Sequence, residues 1–248
     1  MGFERIRVWR HLFGGGNSYS RVDQLETWQG QAELRNMIHA MHEHGLFEQK
    51  LMDLSYVAID TESTGFSPRD DVLLAVAGVV YSEGTESQNA ENFSSFIKLP
   101  PGVSIPPVVQ ELTGITPERL AGAPTLEDVL QQLVVFLDDR VLIAHHAGHD
   151  MAFLNAGLRK TWGVELTSPV IDTGEVALYL HHFKKYPALD VLLQLYDITS
   201  SDRHTALGDA LMTARIWQKQ LRLLVEAKID TLGAFWETFM RERQKRLN

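Results

Sequence analysis

The 248-residue chain contains no cysteine, which excludes disulfide bonds and thiolate metal sites. Oxygen and imidazole ligands remain, and oxygen ligands are the ones that Mg²⁺ and Mn²⁺ prefer. The sequence also lacks any run of about 18 apolar residues, the length that a membrane-spanning helix needs. Its N-terminus lacks the apolar centre of a secretory signal. We therefore expect no transmembrane span and a reducing compartment, the cytoplasm.

Basic residues are scarce, with 23 Lys and Arg against 32 Asp and Glu and a formal net charge of −9. A protein that coats nucleic acid without specificity is normally basic, so the composition argues against that class. It does not exclude a nuclease, because acidic metal ligands count as negative until cations bind them. The hydrophobic fraction of 44% is enough for a sizeable core.

Apolar runs and their spacing predict an α/β fold. Three strands come first, over Tyr56–Asp60, Val72–Tyr81 and Phe93–Leu99, and helices then alternate with short strands. That order predicts a mixed sheet flanked by helices. The later strands are predicted over Val141–Ala144 and Val170–Asp172. The helices are predicted over Asp23–Leu51, Pro107–Leu112, Leu126–Leu137, Asp150–Trp162, Thr173–His181, Leu189–Leu195, Thr205–Ala227 and Thr231–Arg246.

A short N-terminal segment, Phe3–Phe13, alternates arginines with large apolar residues before a glycine run. Such a segment can form an amphipathic helix that contacts a membrane or a partner protein. The simpler interpretation, which we favour, is a helix or tail docked on its own domain.

Two acids, Asp60 and Glu62, stand two residues apart at the end of the first apolar strand. Strand side chains alternate with a period of two, so both carboxylates point to the same face. Their mutual repulsion then requires a cation or a basic partner nearby. Taken alone, the pair is equally consistent with a solvated strand end.

Two further acids lie where helices are predicted to begin. Asp150 follows a turn with His145, His146 and His149, and an Asp at this place is also a common helix N-cap. The histidines have no second cluster of partners, which argues against a zinc site. Asp209 follows His204 by five residues, and a histidine near a carboxylate is the usual general base at neutral pH. His204 could equally be a surface residue, and Asp209 a solvated acid in the first turns of a helix.

Together the four acids form a pattern that a two-metal hydrolytic site requires. Such a site holds two divalent ions about 4 Å apart among several carboxylates and leaves positions open for water and phosphate. The sequence therefore predicts two Mg²⁺ or Mn²⁺ ions bound by four carboxylates, with His204 beside them.

These segments, in this order, resemble the motifs of the DEDDh branch of the DnaQ-like 3′→5′ exonucleases. The D-x-E-x-T-G pattern is matched by Asp60, Glu62, Thr64 and Gly65. The H-x-A-x-x-D-x-x-F-L pattern is matched by His145, Ala147, Asp150, Phe153 and Leu154. The H-x-x-x-x-D pattern is matched by His204 and Asp209. The segments Glu111–Thr116 and Val170–Thr173 also resemble family segments, so the likeness extends from about Tyr56 to Leu224.

The resemblance implies a ribonuclease H-like fold with a central mixed sheet of about five strands. It implies that the metal ligands are Asp60, Glu62, Asp150 and Asp209 and that the general base is His204. Two departures stand beside the second motif: His146 replaces a common Asn, and His149 replaces an apolar or aromatic residue. An exonuclease domain is then expected over 55–228, with an N-terminal helical extension over 1–54 and a C-terminal helix over 229–248 packed on the domain.

The expected substrate is the 3′ end of single-stranded DNA, and the first motif looks most like that of the proofreading subunit of bacterial DNA polymerase III. Predicted substrate contacts are Thr64, Gly65, Phe66 and His145, with Phe66 able to stack on a base. Candidate phosphate contacts are Arg69, Lys184, Lys185 and Arg203. A polymerase or another tethering protein is an expected partner. The alternatives are an exoribonuclease of the ribonuclease T or oligoribonuclease type and a non-catalytic accessory module.

Overall fold

The computed structural model describes residues 45, 47–81, 90–138, 140–166, 168–200 and 202–247. The amphipathic segment Phe3–Phe13 lies outside these residues, as does most of the helix predicted over Asp23–Leu51. The last residues of that prediction are wrong, because a short 3₁₀ helix covers Leu51–Asp53 and turns precede it. The reason is pairing with the C-terminal segment: the Leu51 amide donates to the Asp230 carbonyl at 2.8 Å instead of continuing a helix.

A five-stranded mixed sheet forms the centre of the domain, in the order β3-β2-β1-β4-β5. The strands are β1 Tyr56–Ser63, β2 Leu73–Tyr81, β3 Asn92–Phe96, β4 Val141–Ala144 and β5 Val170–Asp172. The first three pair antiparallel, and β1, β4 and β5 pair parallel. The predicted α/β fold, a mixed sheet of about five strands flanked by helices, is confirmed. Strand β1 runs three residues further than predicted, so both acids of the first motif lie inside it.

Eight α-helices are present in the described part of the chain, besides the 3₁₀ helix. They are α1 Pro107–Thr113, α2 Pro117–Leu120, α3 Leu126–Leu137, α4 Ala147–Trp162, α5 Thr173–Leu180, α6 Leu189–Leu195, α7 Ala206–Glu226 and α8 Leu232–Leu247. Helix α2 was not predicted. Helix α4 begins three residues before Asp150, and His146 is its N-cap residue, so the N-cap interpretation of Asp150 is wrong.

The core lies on both faces of the sheet. On one face the long helix α7 packs Trp217 against Tyr56 of β1, with ring centroids 5.2 Å apart. The opposite face is covered by α3 and α4 through a second buried cluster. Helix α8 adds Leu232 and Phe235 to the first cluster. Among the described residues no helix has both the length and the apolar character needed to cross a membrane.

Candidate active site

The two acids of the first motif project from β1 toward α7. Asp60 pairs in register with Ala77 of β2, and Glu62 pairs with Ala75. They share a face with Tyr56, which lies in the same buried cluster as Trp217 of α7. Small alanines opposite both acids leave room above the sheet for their carboxylates. The predicted common face of the pair therefore looks toward the helix that carries Asp209.

Asp150 reaches the same region from the first turn of α4. Strands β1 and β4 run parallel, so a helix that follows β4 begins at the end of the sheet where the acids of β1 stand. The side chain is buried, and its Oδ1 accepts a 2.7 Å hydrogen bond from the Thr61 hydroxyl. Thr61 stands between the two acids of the first motif, and nothing in the sequence pattern identified it.

Asp209 lies in the first turn of α7, where a tight turn precedes the helix. Thr205 caps the helix, and its hydroxyl also donates to the Asp202 carbonyl at 2.6 Å. A Cβ at Gly208 would lie 2.1 Å from that carbonyl, so only glycine permits this close approach. The turn directs Arg203 onto Oδ2 of Asp209, while Oδ1 of Asp209 is buried without a hydrogen-bond partner.

The carboxylates are close enough to repel one another. Burial raises the pKa of Asp60 well above its usual range, and Asp150, Asp209 and Glu62 raise it further. Burial likewise raises the pKa of Glu62 to about 8, with contributions from Asp209 and Asp150. Burial raises the pKa of Asp150 to about 7, although the hydrogen bond from Thr61 opposes the change. The site therefore carries excess negative charge that a cation would relieve.

The side chains of the site have the ligand chemistry that hard divalent cations prefer, but their carboxylates do not surround one common point. The ligands are carboxylate oxygens, and one of them, Oδ1 of Asp209, is buried and unsatisfied. Across the described residues, no group of three or more His, Asp or Glu side chains is positioned to hold an ion. Arg203 occupies Oδ2 of Asp209 and Thr61 occupies Oδ1 of Asp150. Oδ1 of Asp209 is therefore open to a metal, whereas Arg203 would compete with a metal for Oδ2.

His204 occupies the turn directly before α7, in a left-handed conformation with a φ of 60°. The imidazole is half-buried and near Asp190, the first acid of α6. Hydrogen bonds from Arg203 lower the pKa of Asp190, and His204 contributes to the same effect. Arg203 pairs with Asp209, and no hydrogen bond or ion pair in the described part of the chain joins His204 to that carboxylate.

Some of the predicted substrate contacts already have hydrogen-bond partners within the protein, whereas Phe66 is exposed. The Thr64 hydroxyl donates to Asp71 at 2.9 Å and accepts from the Val72 amide. It therefore joins the two ends of the loop between β1 and β2. His145 is half-buried, with Nδ1 3.0 Å from the Thr173 hydroxyl, and burial lowers its pKa to about 4. Phe66 is 93% exposed.

Phe66 follows Gly65, whose carbonyl accepts a 2.6 Å hydrogen bond from Ser63. Its ring meets the edge of the His149 ring at a centroid distance of 5.9 Å. His149 in turn contacts Phe153 at 4.8 Å. Three aromatic rings therefore extend from the exposed surface toward the buried side of α4, and the departure at His149 belongs to this row.

The candidate phosphate contacts differ in exposure. Arg69, Lys184 and Lys185 are exposed, whereas Arg203 is half-buried between Asp190 and Asp209. Sequence patterns also gave no indication of a network around Asp172, whose carboxylate caps α5 and accepts a hydrogen bond from the Ala147 amide of α4. An acid directly before a predicted helix was the one signal available for it.

A family described as exonuclease matches residues 57–217 of the chain. A DNA polymerase III of the PolC type from Halalkalibacterium halodurans is 34% identical over 179 residues, which make up 72% of this chain and 12% of that polymerase. The chain therefore spans only a small part of the length of the curated relatives that it matches. Residues 57–217, which the family matches, contain all three acidic motifs.

Solved structures share the fold at low sequence identity. Exonuclease X in complex with 5′-overhanging duplex DNA has a TM-score of 0.52 and 21% identity, covering 70% of this chain and 93% of that one. The zinc-bound complex of E. coli exonuclease I with single-stranded DNA has a TM-score of 0.57 and 16% identity, covering 71% of this chain and 42% of that one. These likenesses confirm the predicted ribonuclease H-like fold.

Proposed function

Because this chain belongs to the DnaQ-like exonuclease family, we propose that it is a metal-dependent 3′→5′ exonuclease acting on single-stranded DNA. The observation that supports the proposal is the proximity of four acids from three distant segments, whose charges act on one another. Besides burial, the charges of Asp150, Asp209 and Glu62 all raise the pKa of Asp60. Buried acids that repel one another are unfavourable in a plain core, so a function that uses cations explains their presence.

The proposed ligands are the carboxylates of Asp60, Glu62, Asp150 and Asp209. Two Mg²⁺ or Mn²⁺ ions, when bound, acidify the attacking water and stabilise the leaving 3′ oxygen. His204 is proposed to accept the proton of the water. The water oxygen bonds to phosphorus as the bond from phosphorus to the 3′ oxygen breaks, which releases a nucleoside monophosphate. The leaving 3′ oxygen takes a proton from solvent and becomes the new 3′ hydroxyl of the strand.

The terminal nucleotide is proposed to rest against Thr64, Gly65, Phe66 and His145. A ring that is 93% exposed beside the acidic site is available to stack on a base, and such stacking contributes about 1 to 3 kcal/mol for each base. Because the Thr64 hydroxyl is engaged in its loop, the backbone near Gly65 is the better candidate for the terminal sugar. His145 would act as a neutral imidazole, since its pKa is lowered.

Two features of the comparisons bear on substrate and partner. The E. coli exonuclease I structure is a complex with single-stranded DNA, which favours DNA over RNA for this chain. The polymerase relative carries its matching segment within a much longer protein, which supports a polymerase or another tethering partner. A cytoplasmic location remains a prediction from the absence of cysteine.

One assay tests the proposal. DNA and RNA single strands of one sequence, labelled at either end, are incubated with the protein in Mg²⁺, in Mn²⁺ and in EDTA. We expect a ladder that shortens from the 3′ end of DNA, with no cleavage in EDTA. Cleavage from the 5′ end, or equal cleavage in EDTA, would contradict the proposal. Preferential degradation of RNA would support the proposed hydrolysis but would identify the protein as the exoribonuclease alternative.

A further inference from the structure

Tyr186 reaches from the segment between α5 and α6 into the turn of the second motif. Its hydroxyl donates to Oδ1 of Asp172 at 2.6 Å and accepts from the His146 amide at 2.7 Å. Burial and the Asp172 charge raise the pKa of Tyr186, so the hydroxyl keeps its proton at neutral pH. One hydroxyl therefore joins two segments that are distant in sequence.

The ring of Tyr186 fits this place because Gly174 leaves space for it. A Cβ at Gly174 would lie 2.1 Å from Cζ of the tyrosine, so any larger residue would displace the ring. On its other side the ring packs against His146, with centroids 4.5 Å apart. The position of the hydroxyl is thus set by packing as well as by hydrogen bonds.

His146 needs such support because its backbone is left-handed, with a φ of 63°. That conformation is unfavourable for a residue other than glycine, because the Cβ atom comes too close to the following carbonyl oxygen. Its side chain is exposed and makes no cap hydrogen bond at the start of α4. The contacts with Tyr186, from the amide and from the ring, offset the cost.

The first turn of α4 follows directly from this residue. The Ala147 amide donates to Oδ2 of Asp172 at 2.9 Å, and the His149 amide donates to the His146 carbonyl at 2.9 Å. Asp150 is the next residue of the same turn. The pair formed by Tyr186 and Asp172 therefore determines where the helix begins and where its buried acid is presented.

We propose that Tyr186 is a positioning residue whose hydroxyl holds the left-handed turn at His146 and thereby places Asp150 for cation binding. The inference rests on the proposed function, since it concerns how one proposed ligand is presented. Tyr186 itself contacts neither the acids of β1 nor Asp209 through any described hydrogen bond. Asn is a residue that adopts this left-handed conformation with less support than His, which gives the inference a direct test at position 146.

The test compares Tyr186→Phe with Tyr196→Phe, which removes the same hydroxyl from a tyrosine bonded to His181 at 2.7 Å. We expect Tyr186→Phe to weaken Mn²⁺ binding, measured by calorimetry, by about tenfold, which is the scale for a lost outer partner of a metal ligand. kcat should fall in parallel while KM for the strand stays within about twofold. The Tyr196→Phe variant should match the wild type in Mn²⁺ affinity and kcat.

Rescue separates positioning from general stability. Adding His146→Asn to Tyr186→Phe should restore Mn²⁺ affinity to within about threefold of the wild type, because Asn tolerates the left-handed turn. Loss of stability alone predicts no such recovery. The inference is overturned if Tyr186→Phe binds Mn²⁺ as tightly as Tyr196→Phe, or if the double variant recovers nothing.

Amide hydrogen exchange gives a readout that needs neither metal nor activity. In Tyr186→Phe the amides of His146 and Ala147 should exchange about tenfold faster, since the first loses its hydrogen-bond acceptor and the second its fixed helix start. A wild type that neither binds Mn²⁺ nor cleaves would defeat the proposed function, and the exchange rates would then decide the inference alone. Unchanged exchange at both amides would overturn it.

Discussion

The turn before α4 and the turn before α7 both deliver an acid to the same site, and they are held in different ways. The first is fixed by neutral and charge-assisted hydrogen bonds that include Asp172 and Tyr186. The second is held over the acids by Arg203, which pairs with both Asp190 and Asp209. The hydrogen bonds of this partly buried network do not compete with a cation for Asp150, whereas the guanidinium on Asp209 does compete with a cation for that carboxylate. One half of the site is thus preorganised, and in the other half a cation competes with Arg203 for Asp209.

The largest effect should come from an acid on the preorganised side. Asp150→Asn keeps the size of the side chain and the bond to the Thr61 hydroxyl but removes a charge from the proposed cation site. We expect more than a thousandfold loss of activity, beyond the 10- to 100-fold typical of outer partners, and loss of Mn²⁺ binding by calorimetry. Asp197→Asn, in an exposed turn with a φ of 53°, is the matched control. Substantial activity in Asp150→Asn would remove it from the ligand set.

His204→Gln tests the proposed general base in the turn before α7 without removing a carboxylate. A general base contributes about 10² to 10⁴ in rate, so kcat should fall by at least about 100-fold. Mn²⁺ affinity should stay near the wild-type value, because His204 is proposed to move a proton and not to hold an ion. His182→Gln is the control, since His182 is exposed and also left-handed, with a φ of 53°. A variant that loses metal binding along with activity would show that His204 supports the site structurally.

The same contrast explains which features the sequence could predict. Period-two spacing placed Asp60 and Glu62 on one face, and the structure agrees, because side-chain alternation depends only on local backbone geometry. The start of α4 was misjudged because His146 adopts a left-handed backbone that is supported from Tyr186, forty residues away. Local patterns contain no information about such a partner.

Arg203 shows a second limit of sequence reading. It was predicted as a phosphate contact from its charge and its place beside the third motif. The structure instead pairs it with Asp209, because the turn closed by Gly208 and Thr205 points its side chain inward. Close backbone approaches of this kind follow from the tertiary fold and have no signature beyond a glycine. A role with phosphate remains a prediction for the state in which a cation has replaced the arginine at Asp209.

Arg203→Gln would sharpen the comparison by removing the competing cation. The unliganded protein should become less stable, because Asp209 then stands among three other acids without its counter-charge. Mn²⁺ should bind about three- to tenfold more tightly by calorimetry, and the rise in melting temperature on adding Mn²⁺ should be larger than in the wild type. Arg222→Gln, on the exposed side of α7, is the control. Weaker Mn²⁺ binding would indicate that Arg203 supports the ligands instead of competing with a cation.

The smallest expected effect is the pH dependence of stability without metal. The pKa of Glu62 is raised to about 8 and that of Asp150 to about 7, so the folded protein binds these protons more tightly than the unfolded chain, whose carboxyls titrate near pH 4. The stabilisation is complete below about pH 4 and is lost as the pH rises through 8. The melting temperature in EDTA should therefore fall by a few degrees between about pH 5 and pH 8.5.

Glu62→Gln should reduce that fall, since its amide does not titrate, and saturating Mn²⁺ should remove most of it, since a cation stabilises the ionised carboxylates. Glu226→Gln, at the exposed end of α7, should behave as the wild type. Differential scanning calorimetry at matched ionic strength measures all three proteins. A melting temperature in EDTA that rises over this range would mean that Arg203 or other groups stabilise the acids in their charged forms. Repulsion among the carboxylates would then not destabilise the folded protein.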